Sequence, residues 1–160
     1  MAETRGAAGL IARTVAHWSS KGKVSSRSAT PQSGSEPKQP LQVVWFKRDL
    51  RTVDHAALSQ ASRSGPVLPL FIVEPMFWAQ PDASARQWEF CAESLAELRK
   101  ALAELGQSLV IRTGEALAVL KALQRQRGIA QLWSHQETGN DFTYQRDQAV
   151  ARWCREQAIP

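Results

Sequence analysis

The chain has 160 residues, 43% of them hydrophobic, enough for one globular domain with a flanking segment. It has two cysteines and no apolar run near the ~18–20 residues of a membrane-crossing helix, which argues against a disulfide scaffold and a helical membrane protein. The formal net charge of +5 suggests a nucleic-acid binder until it is located: residues 1–40 hold six of the 20 basic and two of the 15 acidic residues, leaving 14 against 13 in residues 41–160.

Residues 1–40 are rich in Ser, Ala, Gly, Arg and Lys, and "SSKGKVSSRSATPQSGSEPKQP" has almost no large apolar side chain. Such a segment cannot bury enough surface to offset chain entropy and is expected to be disordered. Its first part, "ETRGAAGLIARTVAHW", is weakly amphipathic, Arg-containing and poor in acids, like an organellar transit peptide; a plain solvated tail fits it as well. The expected location is cytoplasmic for a bacterial chain, or organellar if residues 1–40 are a targeting segment.

From Leu41 the pattern becomes regular. "LQVVWF" (41–46) is a short apolar run, read as a buried strand. "DHAALSQASRSG" (54–65) reads as a helix from a capping Asp54 to Gly65. "PVLPLFIV" (66–73) is a second buried strand. Helical spacing dominates 85–105, with Phe90, Leu95, Leu98, Leu102 and Leu105 on one face and Gly106 as the stop. "SLVIR" (108–112) is strand-like. "EALAVLKALQRQR" (115–127) is a helix with Leu117, Leu120 and Leu123 on one face, ended by Gly128. "IAQLWS" (129–134) is the fourth strand. Asp141 or Thr143 caps a last helix whose stripe is Val150, Trp153 and Cys154, and Ala158-Ile159-Pro160 reads as the start of a fifth strand, cut short. Cys91 and Cys154 fall in these helical patterns, as reduced core thiols.

Strict strand–helix alternation with non-alternating apolar strands predicts a doubly wound parallel α/β sheet of order 3-2-1-4-5. Ligands of such sheets bind outside the carboxyl ends of the strands, where the winding reverses between strands 1 and 4. The two loops there are "KRDLRTVD" (47–54) and "HQETGNDFTYQRD" (135–147), the most polar junctions of residues 41–160. The first has no glycine and is neither a dinucleotide fingerprint nor a P-loop. Read from composition, Asp49 pairs Arg48 or Arg51 to hold the loop. His135 and Glu137 form an H-x-E without the P-C-x-x-C of a zinc deaminase. Arg146-Asp147 reads as a helix-start pair.

"VVWFKRDLRTVDHAAL" resembles the opening strand and loop of the photolyase/cryptochrome family, commonly W-F-R-x-D-L-R followed by D-N-x-A-L. "VLPLFIVEP", "ESLAELRKALAELGQSLVIRTGEALAVL" and "ETGNDFTYQRDQAV" resemble later family segments in the same order, over about residues 41–160. Lys47 stands where Arg is frequent and His55 where Asn is usual. The resemblance implies the α/β domain of a light-driven flavoprotein that repairs pyrimidine dimers in DNA or senses blue light. It implies that FAD, the DNA contact and the electron-relay tryptophans belong to a helical domain absent from this sequence. This chain would then be a non-catalytic fragment, and a monomer. The α/β domain would hold an antenna chromophore (a folate, a deazaflavin or FMN). For family members with flavin-like antennas the resemblance assigns its contacts to Phe46, Lys47, Arg48, Asp49 and Leu50. Glu137 and Asn140 join them by position in the second loop. A free-standing α/β module for a flavin, folate or nucleotide is the alternative, and a poorly folding truncation product a third.

Overall fold

A computed structural model describes residues 40–160; the expectations for residues 1–39, tail or targeting segment, lie outside the described residues. The first strand, β1 (Leu41–Phe46), is buried along its whole length. It has no polar alternation because helices cover both of its faces. Gln42 is its one polar side chain, and Gln42 Oε1 accepts from Trp133 Nε1 at 2.8 Å. Helix α1 (Ala56–Ser64) begins one residue later than the sequence suggests. Asp54 takes a left-handed φ of 52°, and His55 becomes the cap, its Nδ1 accepting from Leu58 N–H at 3.1 Å. Aspartate tolerates that backbone region better than most residues.

Strand β2 (Val67–Val73) leads through a short helix, α2 (Pro75–Trp78), into α3 (Ala85–Glu104). A capping box opens α3: Ser84 Oγ accepts from Gln87 N–H while Gln87 Oε1 accepts from Ser84 N–H. Its buried side chains are Trp88, Leu95, Leu98 and Leu102. The expected face is therefore wrong at both ends, because Phe90 is 72% and Leu105 66% exposed. Trp88 sets the stripe at spacings of three and four, and two residues further on Phe90 points about 200° around the helix. Leu105 lies just past the last helical turn, where Gly106 (φ 79°) ends α3. Trp88 is fully buried, and its Nε1 has no hydrogen-bond partner.

Strand β3 (Val110–Thr113), helix α4 (Ala116–Arg127), strand β4 (Ile129–Trp133) and helix α5 (Asp141–Glu156) complete the order. Asn140, rather than Asp141 or Thr143, caps α5: its Oδ1 accepts from Thr143 N–H at 3.1 Å. The four strands are parallel in the order β3-β2-β1-β4, as expected of a doubly wound sheet. Beyond β4, Pro160 O accepts from Leu132 N–H at 3.0 Å and Ile159 is buried, so Ala158–Pro160 lies along the fifth position.

The core has two halves. Val44, Phe46, Phe71 and Val73 pack against Ala61 of α1 and the stripe of α3. Val43, Trp45, Leu70 and Ile72 pack against Ala116 and Leu120 of α4 and Val150 and Trp153 of α5. Each such large apolar side chain contributes about 1.5–3 kcal/mol by leaving water. The crossover from β3 to β4 passes β2 and β1, so the winding reverses between β1 and β4. That reversal parts the loops after β1 and β4 at the carboxyl end of the sheet, the end where ligands of such sheets bind.

Candidate chromophore cleft

A crevice encloses about 280 Å³ at the carboxyl ends of β1 and β2. That is near the ~300 Å³ lower bound for small-molecule sites, room for one flat ring system rather than a whole dinucleotide. Its walls are aromatic: Trp45 and Phe46 from β1, Phe71 from β2, Phe77 and Trp78 from α2, and Phe90 from α3. Leu50, Ile72, Ala83 and Cys91 complete the apolar lining. The exposure of Phe90, unexplained as a core residue, is accounted for by its place in this lining.

The polar side carries a linked set of three cations and three carboxylates, with Asp82 beside it. Arg146, on α5, is at its centre. Its Nη1 donates to Glu74 Oε2 at 2.8 Å, its Nη2 to Glu137 Oε2 at 2.5 Å, and its Nε to Asp147 Oδ1 at 2.9 Å. Arg48 Nε donates to the other oxygen of Glu137 at 2.6 Å, and Lys47 Nζ to Asp147 Oδ2 at 2.8 Å. Lys47 and the Arg146 guanidinium also each lie 5.0 Å from the ring centre of Trp45. Glu74 Oε1 accepts from Ala116 N–H at 3.3 Å, tying the end of β2 to the start of α4.

Burial decides the character of this set. Burial raises the pKa of Glu74 more than the adjacent Arg146 charge lowers it, leaving the carboxyl above its ordinary value. Burial alone would lower that of Arg146, but Glu74, Glu137 and Asp147 outweigh it and hold the cation. Burial also pushes the Cys91 thiol up to about 12. Arg48 differs, with a side chain 61% exposed at the rim.

Of the residues assigned from sequence, Phe46, Lys47, Arg48, Leu50 and Glu137 line the cleft together. Asp49 does not. It turns to the other side of the loop, where Oδ2 lies 3.0 Å from His55 Nε2 and contacts His135 Nδ1. The composition-based pairing of Asp49 with Arg48 or Arg51 is thereby overturned: Arg48 goes to Glu137, and Arg51 Nη2 donates to the carbonyl of Asp54 at 3.3 Å. Burial raises the Asp49 carboxyl, but contacts with His55, its own backbone and His135 bring it down to about 2. Asn140 stands outside the lining as well; besides capping α5, its Nδ2 donates to Asp82, which does line the cleft.

Sequence reasoning did not single out Glu74, and it read Arg146-Asp147 as a helix start. Asn140 fills that role, and both residues belong to the charge set. The signal available was an acid placed directly at the end of β2, where the crevice opens. Gly139 belongs to the same loop, and a Cβ there would collide with Thr143 Oγ1.

The DNA photolyase family profile matches residues 42–160. The chain is 33% identical over 125 residues to a cryptochrome DASH, chloroplastic/mitochondrial, of Arabidopsis thaliana, covering 72% of this chain and 22% of that protein. It is 36% identical over 120 residues to a deoxyribodipyrimidine photo-lyase of Salmonella typhimurium, covering 71% and 25%. A class III photolyase structure from Agrobacterium tumefaciens superposes with a TM-score of 0.63 and 27% identity, over 84% of this chain and 26% of that one. An archaeal photolyase structure from Sulfolobus tokodaii, described with two FAD molecules and the implication of a novel light-harvesting cofactor, superposes with a TM-score of 0.66 and 29% identity, over 74% and 28%. The chain thus spans about a quarter of the length of these relatives. The sheet order, the crevice at its carboxyl end, the "WFKRDLR" loop that enters it and these likenesses lead to one conclusion: the chain belongs to the DNA photolyase family, which includes the cryptochromes.

Proposed function

We propose that this chain is the antenna-chromophore domain of a photolyase- or cryptochrome-type flavoprotein and that the cleft takes a flat aromatic chromophore. The observation that carries the reading is the aromatic cleft at the carboxyl ends of β1 and β2 with an internally balanced charge set at its side. A conjugated ring needs apolar walls and a few convergent polar groups, with no covalent chemistry from the protein. Phe46 and Leu50 supply wall, and Lys47, Arg48 and Glu137 supply hydrogen-bonding groups at the edge. Asp49 and Asn140 act indirectly, by holding the two loops in place. Three cations against three carboxylates favour a ring of little net charge. FMN, a deazaflavin and a folate all bring such a ring, and the Sulfolobus tokodaii relative described with a second FAD lends weight to the flavin-like members.

FAD for electron transfer, the contact with DNA and the choice between dimer repair and blue-light signalling belong, on this reading, to the part of the family architecture outside these residues. On this reading residues 40–160 act as a monomeric domain that does no catalysis of its own. Among the described residues no helix is long and apolar enough to cross a membrane. An organellar location is favoured by the relative named chloroplastic/mitochondrial, with a cytoplasmic one as the alternative.

The test is a titration of the purified chain with FMN, a deazaflavin and a methenyl-folate, read by absorbance and fluorescence. Saturable binding of one of them, with a shifted or quenched spectrum and weakening in Arg48→Ala, is the expected result. A folded chain that binds none of the three overturns the reading.

A further inference from the structure

Asp49, His55 and His135 meet on the side of the β1 loop away from the cleft, and none of the three lines it. Two of the chain's three histidines are here. One oxygen of Asp49 and one nitrogen of each histidine lie within 4.8 Å of one another. Asp49 Oδ2 and His55 Nε2 are 3.0 Å apart. Two ligand atoms each ~2.0–2.2 Å from one metal ion, at tetrahedral to octahedral angles, stand about 3–3.5 Å apart. Small rotations of His135 would complete that spacing.

Two further observations point to a ligand in addition to a loop tie. First, the His55 side chain is only 2% exposed, and its Nε2, though close to Asp49, has no aligned hydrogen-bond partner. A buried polar nitrogen left in that state needs a reason. Second, the neighbouring cations are engaged elsewhere: Lys47 on Asp147, Arg48 on Glu137, Arg51 on the Asp54 carbonyl. The Asp49 carboxylate is left to the histidines.

We infer that Asp49, His55 and His135 form a site for a divalent first-row transition metal of the zinc, cobalt or nickel kind. Two imidazoles and one carboxylate suit those ions, whereas calcium and magnesium prefer oxygen alone. His135, 36% exposed, opens the site to solvent, so water completes the coordination. The metal would join the end of β1, the start of α1 and the end of β4, stiffening the loop whose opposite side lines the cleft.

Binding has a structural cost. Without metal, His55 Nδ1 accepts from Leu58 N–H, which places the neutral ring's proton on Nε2. A metal at Nε2 requires the other tautomer: the proton moves through solvent to Nδ1, and the α1 cap is given up. His135 likewise carries its proton on Nε2 once Nδ1 is ligated. The Leu58 amide therefore reports on the bound state.

The test uses the full chain, stripped with a chelator and titrated with Co²⁺ read by its visible d–d absorption, then with Zn²⁺ in competition. One equivalent binding in the micromolar range or tighter is expected. His135→Ala and His55→Asn should each weaken it at least tenfold. His55→Asn keeps a strong cap, so the helix start survives the change. Hydrogen exchange at the Leu58 amide should speed up when Zn²⁺ is bound. The inference is overturned by no saturation up to millimolar metal, by binding that survives both substitutions, by binding lost only with His17→Ala, or by a Leu58 amide that stays equally protected in the metal-bound chain.

Discussion

The two sides of the loop after β1 are wired differently. Lys47, Arg48 and Leu50 face the cleft, where both cations join a set centred on Arg146. Asp49, between them, faces the other way into a pair of stacked imidazoles whose ring centres are 4.4 Å apart. The cleft side is the surface we propose for the chromophore. The histidine side is a fastening between β1, α1 and β4. One short glycine-free loop does both: beyond the end of β1 it bends, with Lys47, Arg48 and Leu50 turned to the cleft and Asp49 away from it.

The largest effect should come from Arg146→Ala. It leaves Glu74 and Glu137 buried without their common cation, at a cost of ~3–5 kcal/mol. A urea unfolding curve checks this, and a loss under about 1 kcal/mol would show that the set is not linked as described. Asp49→Asn comes next. Replacing the carboxylate beneath two histidines should cost about 1–3 kcal/mol while changing FMN affinity less than about twofold. A large fall in FMN affinity would erase the distinction between the two sides. Arg48→Ala is the converse: an exposed guanidinium should cost under ~1 kcal/mol of stability, yet weaken FMN about fivefold or more. The smallest effect on the fold belongs to Cys91. With a thiol pKa of about 12 it should resist alkylation at pH 8 in the native chain and react only as pH rises toward that value or urea unfolds the protein. Mass spectrometry after iodoacetamide treatment checks it.

The sheet was readable because β1 and β2 are buried apolar runs without alternation, and the shorter strand-like stretches of β3 and β4 are set off by helical periods. Topology alone pointed to the carboxyl end of the sheet, but the cleft there is walled by β1, β2, α2 and α3, with only Glu137 from the loop after β4. What the sequence concealed was partner choice. Asp49 has Arg48 beside it and Arg51 two residues on, so local charge suggests a local pair. The observed partners, His55 and His135, lie six and 86 residues away and are brought in by the chain reversal. Glu74 and Arg146 were obscured in the same manner, 72 residues apart and joined only by the fold. Phe90 shows the limit of periodicity for a helix with a ligand-facing side: a large aromatic at near-core spacing was read as core, and it lines the cleft instead.

Trp88 carries a consequence for spectroscopy. An excited indole lowers its energy when polar neighbours reorient around its enlarged dipole. The ring of Trp88 is sealed among leucines, and its N–H has nothing to bond. Its emission should therefore stay at short wavelength for as long as α3 is seated on the sheet. Trp78 touches it edge-on, with ring centres 5.0 Å apart, and also lines the cleft. A visible-absorbing chromophore arriving there would drain that blue emission, giving an unlabelled readout of occupancy from inside the core.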